Sequence, residues 1–473
     1  MTTAAYTPAR PARRGVELGL LVLAGLLATG AVAAIVLARG TTLTRDVGYY
    51  GAGFFGLYLL AHLAVRRLAP AADPLILPIV AVLNGLGLAM IYRIDLAKAD
   101  DAARRGQSVP HADAPLQLMW TALALVALIV VLAVVRDHRT LSRFTYTSAL
   151  AALLMLALLA VPGLGRTVNG ARIELRLGPI PFQPGEVAKL LLMLFFAGYL
   201  VQKREVLSVV TSSFLGLPLP RARDLGPLLV AWGVSLGMLV VIKDLGTSLL
   251  FFGIFLTMLY VATERASWLL MGVLLFLGGA YASYRMFGHV RERVDIWLHA
   301  FQGDNPTHGA YQLVQGQFGL ATGGLFGTGL GRGRPDIVPF SRTDFILSSL
   351  GEELGAVGLM AVFVLYGLLV VRGLRGALGV RDGFGKLLAA GLATSLALGV
   401  FVTAGGVLRV IPLTGLVLPF VAYGGSSMVA NMLVIALLIR ISDAGRRPPA
   451  SESQQPLFDP DAVNERPTQV VQV

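Results

Sequence analysis

Apolar runs of membrane-spanning length recur along this chain, and no other feature limits its fold so tightly. Twelve are legible, near 15–38, 49–65, 75–92, 115–135, 144–162, 184–201, 225–242, 244–262, 268–287, 354–371, 387–406 and 416–440. A bilayer core about 30 Å thick takes roughly 20 helical residues to cross. No water reaches the backbone there, so only helices and closed barrels can span it. Barrel strands alternate over about ten residues, and these runs do not. The fold class expected is therefore all-α, a polytopic membrane protein of about 12 transmembrane helices with one long outer loop at 288–353.

Composition sharpens the exclusions. The chain is 473 residues, 55% hydrophobic and 14% charged, whereas a soluble domain is about 25% charged. A soluble enzyme, a disordered chain and a nucleic-acid-binding domain are all excluded. The formal charge of +12 fits basic loops facing anionic lipid, not nucleic acid. There is no cysteine, hence no disulfide, thiolate nucleophile or Cys-bound metal.

Loop charge orients the spans. With the N-terminus inside, the inner segments hold Arg66, Arg67, Arg136, Arg139, Arg143, Lys203, Arg204, Arg265, Arg372, Arg375, Arg381, Lys386, Arg440, Arg446 and Arg447. The outer loops balance their bases with acids, as in 93–114. Both termini then face the cytoplasm. The first apolar run, after Arg10, Arg13 and Arg14, exceeds 20 residues; a cleaved signal has about 7–15. The chain divides into a cytoplasmic segment 1–14, two helices in 15–72, a core at 73–443, and a tail at 444–473 whose Pro, Ser, Gln and Asp content reads as disordered.

Several polar groups sit where burial is costly. Glu186 and Lys189, three apart at the head of the sixth run, share a helix face; they either tie helices together or serve a site. Lys243-Asp244-Leu245-Gly246-Thr247-Ser248 is a tight outer turn, an ordinary polar hairpin or part of a site. Arg409, in a short outer segment, either grips a phosphate or snorkels to the surface. Tyr423-Gly424-Gly425-Ser426-Ser427 interrupts the last run, for close packing or for a broken helix lining a cavity. Asp295, Asp304, Asp336, Asp344, Glu352 and Glu353 in the long loop are potential bases or metal ligands. Spacing alone selects none of them. There is no GxxxxGK[ST] loop and no HExxH, so ATP hydrolysis and zinc proteolysis lack support.

Together these segments resemble the SEDS family of peptidoglycan polymerases, which includes RodA, FtsW and SpoVE. The likeness rests on Asn169-Gly170-Ala171-Arg172, then Phe182-Gln183-Pro184-Gly185-Glu186 with Lys189, then Asp244-Leu245-Gly246-Thr247-Ser248. It continues through Gly309-Ala310-Tyr311-Gln312 with Gln315, Gly327-Thr328-Gly329-Leu330-Gly331 and Thr343-Asp344-Phe345-Ile346. Gly351-Glu352-Glu353-Leu354-Gly355, Pro412-Leu413-Thr414-Gly415, Pro419-Phe420 and Tyr423 to Ser427 complete it, over about 75–440. The Arg409-containing turn, Pro419-Phe420 and the extended N-terminus are closer to RodA-like members than to FtsW.

The resemblance implies a ten-helix core, here spans three to twelve, with two added N-terminal helices. It implies an enzyme that polymerises lipid II, a polyprenyl-pyrophosphate-linked disaccharide, on the outer face of the cytoplasmic membrane. It implies a divalent cation (Mg or Mn), a class B penicillin-binding protein as transpeptidase partner, and an essential Asp in the long loop. That Asp is assigned to Asp304, with Asp295 in reserve, because Asp304 stands seven residues before Tyr311 instead of six and Asn305 has no carboxylate. A metal, if bound by the loop, would meet Asp304. Arg172, Glu186, Lys189, Lys243, Asp244, Arg409, Tyr423 and Ser426 are the expected substrate or pyrophosphate contacts; Tyr311, Gln312, Gln315, Asp344, Glu352 and Glu353 support the loop. Lys243 replaces a Pro and Gly185 a Ser of the family pattern. Two other classes stay open beside this one: a lipid II flippase or other transporter of polyprenyl-linked substrate, and a scaffold that only recruits a transpeptidase.

Overall fold

A computed structural model describes residues 14–40, 42–161, 164–168, 171–177, 180–208, 212–214, 217–219, 244–302 and 309–447, with isolated positions at 230, 233–234, 237, 242 and 307. Helices α1 (Arg14–Ala38), α2 (Arg45–Leu68), α3 (Ile76–Arg104), α4 (Ala114–Val134) and α5 (Thr145–Ala160) come first. Strands β1 (Gly165–Val168), β2 (Ala171–Leu177) and β3 (Ile180–Phe182) precede α6 (Pro184–Ser208), and β4 (Ser212–Phe214) and β5 (Leu217–Leu219) follow it. Then come α7 (Leu245–Thr263), α8 (Ala266–Met286), α9 (Gly288–His299), α10 (Tyr311–Gly323), α11 (Ile346–Gly379), α12 (Gly383–Val407) and α13 (Gly425–Arg446).

Among the described residues, eleven helices are long and apolar enough to cross a membrane. They match eleven of the twelve runs; the run at 225–242 lies almost wholly outside the described residues. Helices α3, α12 and α13 are buried on most sides. The peripheral helices turn Leu26, Leu123, Leu274 and Met360 outward, as a lipid-facing surface requires.

The fold is the expected all-α polytopic bundle, with two small antiparallel sheets beside the helices, β1–β2–β3 and β4–β5. Val168 pairs with Ala171 where β1 meets β2. Three boundaries differ from those that hydropathy sets. The long loop ends at residue 345, not 353, because α11 begins at Ile346. Ser348, Ser349, Glu352 and Glu353 break the hydropathy there, yet all four are buried. The last helix starts at Gly425, not 416; Leu418, Phe420, Val421 and Ala422 before it are buried but non-helical, Phe420 in the left-handed region at φ 65°. The proposed disordered tail begins too early, since α13 continues to Arg446.

The long loop is built on a buried ion pair. Arg93 donates from Nε to Glu353 Oε1 at 2.8 Å and from Nη2 to Gly333 O at 2.5 Å. The amides of Gly331 and Gly333 donate to the Glu353 carboxylate at 2.8 and 3.2 Å, and that of Arg334 to Glu352 Oε1 at 2.7 Å. Helix α11 kinks at Gly355, φ 71°. A Cβ there would strike the Gly327 nitrogen, so both glycines are dictated by backbone approach. At the other end of the bundle, Asp73 pairs with Arg372 at 3.6 Å and with Arg446. Asp443 pairs with Arg440 at 3.6 Å and Arg447 at 2.5 Å, tying α13 to the 69–75 linker.

Candidate functional site

The site sits where α6 and α7 begin. Pro184 opens α6, a position where its missing N–H costs nothing. Asp244 caps α7: Oδ1 accepts the Thr247 amide at 2.9 Å and Oδ2 the Thr247 hydroxyl at 2.5 Å. Both helix starts face the same side of the bundle as the long loop, and between them lies a cavity of about 50 Å³. Gln183, Gly185, Glu186, Asp244, Thr247 and Gly415 give it a polar lining; Leu156, Leu159, Ile242, Leu416 and Val417 give it an apolar wall.

Beside it, Lys189 Nζ donates to Oε2 of the lining residue Glu186 at 2.9 Å, with the side chains 7% and 15% exposed. The non-helical segment 408–424 closes the cavity through Gly415, whose positive φ of 78° lets the backbone pass beside Asp344. Burial pushes the Asp344 carboxyl up to about 7, with Arg293 opposing and Asp244 adding to the rise. The Arg293 guanidinium acts on both Asp344 and Asp244, and its Nη1 donates to Leu413 O at 2.7 Å, two residues before Gly415 of the cleft lining.

The structure gathers Glu186, Lys189, Asp244 and Asp344 at or beside this cleft. Ser426 borders it, its Oγ accepting the Gln183 amide at 3.0 Å. Tyr423 lies farther round, its ring 5.3 Å from the Arg342 guanidinium and its amide donating to Arg342 O at 2.8 Å. Arg172 is exposed on β2, opposite Thr167. Arg409 uses its guanidinium on the carbonyls of Trp297 and Leu298. Asp295 is on the exposed side of α9, its Oδ1 2.9 Å from His299 Nδ1. Tyr311, Gln312 and Gln315 occupy the first turns of α10, and Glu352 and Glu353 brace the glycine-rich loop. Asp304 and Lys243 lie outside the described residues.

Arg293 is the residue that sequence reasoning missed. Its signal is the i, i+4 pair Arg293 and Trp297 on the inward face of an otherwise polar helix.

The described residues do not build a metal cage. No three His, Asp or Glu side chains among them gather as one, and Asp244 and Asp344 share the positive charge of Arg293.

The family model for FtsW, RodA and SpoVE, described as cell cycle protein, matches residues 74–447. The peptidoglycan glycosyltransferase RodA of Mycobacterium tuberculosis is 47% identical over 445 residues, 94% of this chain and 93% of that one. A probable peptidoglycan glycosyltransferase FtsW of Geobacter metallireducens is 31% identical over 381 residues, 78% of this chain and 94% of that one. A solved chain, from a study of how a peptidoglycan synthase complex coordinates polymerization and crosslinking, is 29% identical with a TM-score of 0.61. It covers 79% of this chain and 98% of its own length.

Proposed function

This chain belongs to the FtsW, RodA and SpoVE family, on the RodA-like side of it, and we propose on that premise that it is a peptidoglycan glycosyltransferase joining lipid II into glycan strands. One observation carries the reading. Segments 183–186, 244–247 and 415–417, far apart in sequence, line one polar cleft on the long-loop side of a membrane bundle. These are the FQPGE, DLGTS and PLTG motifs, so the family's signature converges on a single place.

The chemistry asks for a base at the acceptor hydroxyl and for cations beside the departing pyrophosphate. An acceptor hydroxyl attacks the donor sugar while the bond to the lipid pyrophosphate breaks. Asp304 receives the hydroxyl proton as general base. Arg293 and Lys189 offset charge growing on the departing pyrophosphate, in a site where fixed charges act more strongly than in water. The apolar wall of Leu156, Leu159 and Leu416 leads the polyprenyl chain toward lipid. A divalent cation, Mg or Mn, would be held mainly by the substrate's phosphates with Asp304 as the protein carboxylate, and would supply neutralising charge to the pyrophosphate.

The protein lies in the cytoplasmic membrane with both termini cytoplasmic, following its basic inner segments. A class B penicillin-binding protein crosslinks its product; the likeness to a chain of a polymerising and crosslinking complex supports that partner. The test is purified protein with lipid II and Mg²⁺, read as glycan polymer on a gel. Polymer lost in Glu186→Ala supports the reading. Transbilayer movement of lipid II in vesicles without polymer would replace it by transport.

A further inference from the structure

The C-termini of α9 and α12 cap each other. Arg409 follows Leu408, the C-cap of α12, with φ at 59°. Helices usually place glycine in that left-handed position, because a Cβ is disfavoured there. The arginine side chain returns across the gap to α9. Its Nε and Nη2 donate to Trp297 O at 3.2 and 2.8 Å, and Nη2 to Leu298 O at 3.4 Å. These carbonyls lie in the last turn of α9, where helices leave acceptors unpaired and favour a cation. The guanidinium also stands 5.3 Å from the Phe301 ring centroid. In return, Trp297 Nε1 donates to Arg409 O at 3.0 Å.

One turn back on the same face of α9, Arg293 reaches Leu413 O at 2.7 Å. A helix bound at two points one turn apart cannot roll. We propose that Arg409 and Trp297 form a positioning clasp that fixes the roll of α9 and thereby holds Arg293 on Leu413 O, two residues before Gly415 of the cleft lining. Neither residue touches the reacting atoms. Its catalytic consequence rests on the glycosyltransferase reading; the clasp itself does not.

Arg409→Gly separates positioning from folding, since glycine suits φ near 59° and only the side chain is removed. In substrate-free protein in detergent, amide hydrogen exchange across α9 should speed up by about tenfold or more in Arg409→Gly and Trp297→Phe, with α3 and α13 unchanged. In lipid II polymerisation, kcat should fall about tenfold while KM stays within about twofold. The double variant Arg409→Gly/Arg293→Ala should be no slower than Arg293→Ala alone, as expected when one residue acts through the other. Arg409→Lys should recover part of the loss. Wild-type exchange in α9 of Arg409→Gly, or strictly additive losses in the double variant, would overturn the clasp. Wild-type protein that makes no polymer would count against the activity, while the exchange measurement still decides the clasp.

Discussion

Arg93 on α3 and Glu353 on α11 form an ion pair, 2.8 Å from Nε to Oε1, with side chains 6% and 0% exposed. The pair does more than join two helices, because Gly331 and Gly333 of the long loop hang on the same carboxylate. Gly331 also packs against Ile35 and Ala38 of α1. Helices α1, α3 and α11 and the long loop thus meet at one place.

Removing one partner of that anchor leaves a buried charge alone. Glu353→Ala should destabilise the protein by about 3–5 kcal/mol, seen as a large fall in Tm in detergent. Replacing both partners by apolar residues, Arg93→Met with Glu353→Leu, should cost less than Glu353→Ala. Equal or greater loss in the double variant would contradict this account of the anchor.

The kink in α11 depends on a glycine. Gly355→Ala brings a Cβ against the Gly327 nitrogen at a positive φ. It should cost at least about 1–2 kcal/mol from the backbone alone, with more from the steric clash. Thermal unfolding of the variant checks this; an unchanged Tm refutes it.

Asp344 makes stability depend on pH. Its folded carboxyl is raised by burial to about 7, whereas the unfolded one titrates near about 3.9. Below the lower value both states are protonated and nothing is lost. Between pH about 4 and about 7 only the unfolded state ionises, so the fold loses stability as pH rises, and the loss levels off above that window. Asp344→Asn should reduce the slope over that window and raise Tm at pH 7.5 relative to wild type, with the difference gone at pH 3.5. A Tm that falls at pH 7.5 in the variant would reverse the sign.

Glu186 lines the cleft and pairs with Lys189 beside it. Glu186→Gln and Lys189→Met should each reduce polymerisation by about tenfold or more, with Tm falling less in Glu186→Gln, which leaves Lys189 a hydrogen-bond acceptor. Activity within twofold of wild type in both would make the pair a packing device only.

Much of this was legible in the sequence because one rule, burial of apolar helices in lipid, governs most of the chain. The errors fall where that rule stops. The polar run Ser348 to Glu353 is buried by α10 and the glycine loop, not by lipid, so hydropathy cannot see it. The stretch 416–422 is apolar yet non-helical, and its left-handed Phe420 has no sequence signature. Glu186, Asp244 and Gly415 were singled out by motif; that they share a cleft, and that Arg293 joins them, is a tertiary fact. For Arg409 the sequence leaves open a phosphate grip or a snorkelling side chain, because it does not show α9 bringing Trp297 against it.

The most direct measurement is lipid II polymerisation by the purified protein with its transpeptidase partner, comparing wild type, Asp304→Ala and Asp295→Ala. Glycan polymer from wild type and Asp295→Ala, and none from Asp304→Ala, is the expected result. Polymer from Asp304→Ala at the wild-type rate would contradict the assigned base, and none from wild type would contradict the activity itself.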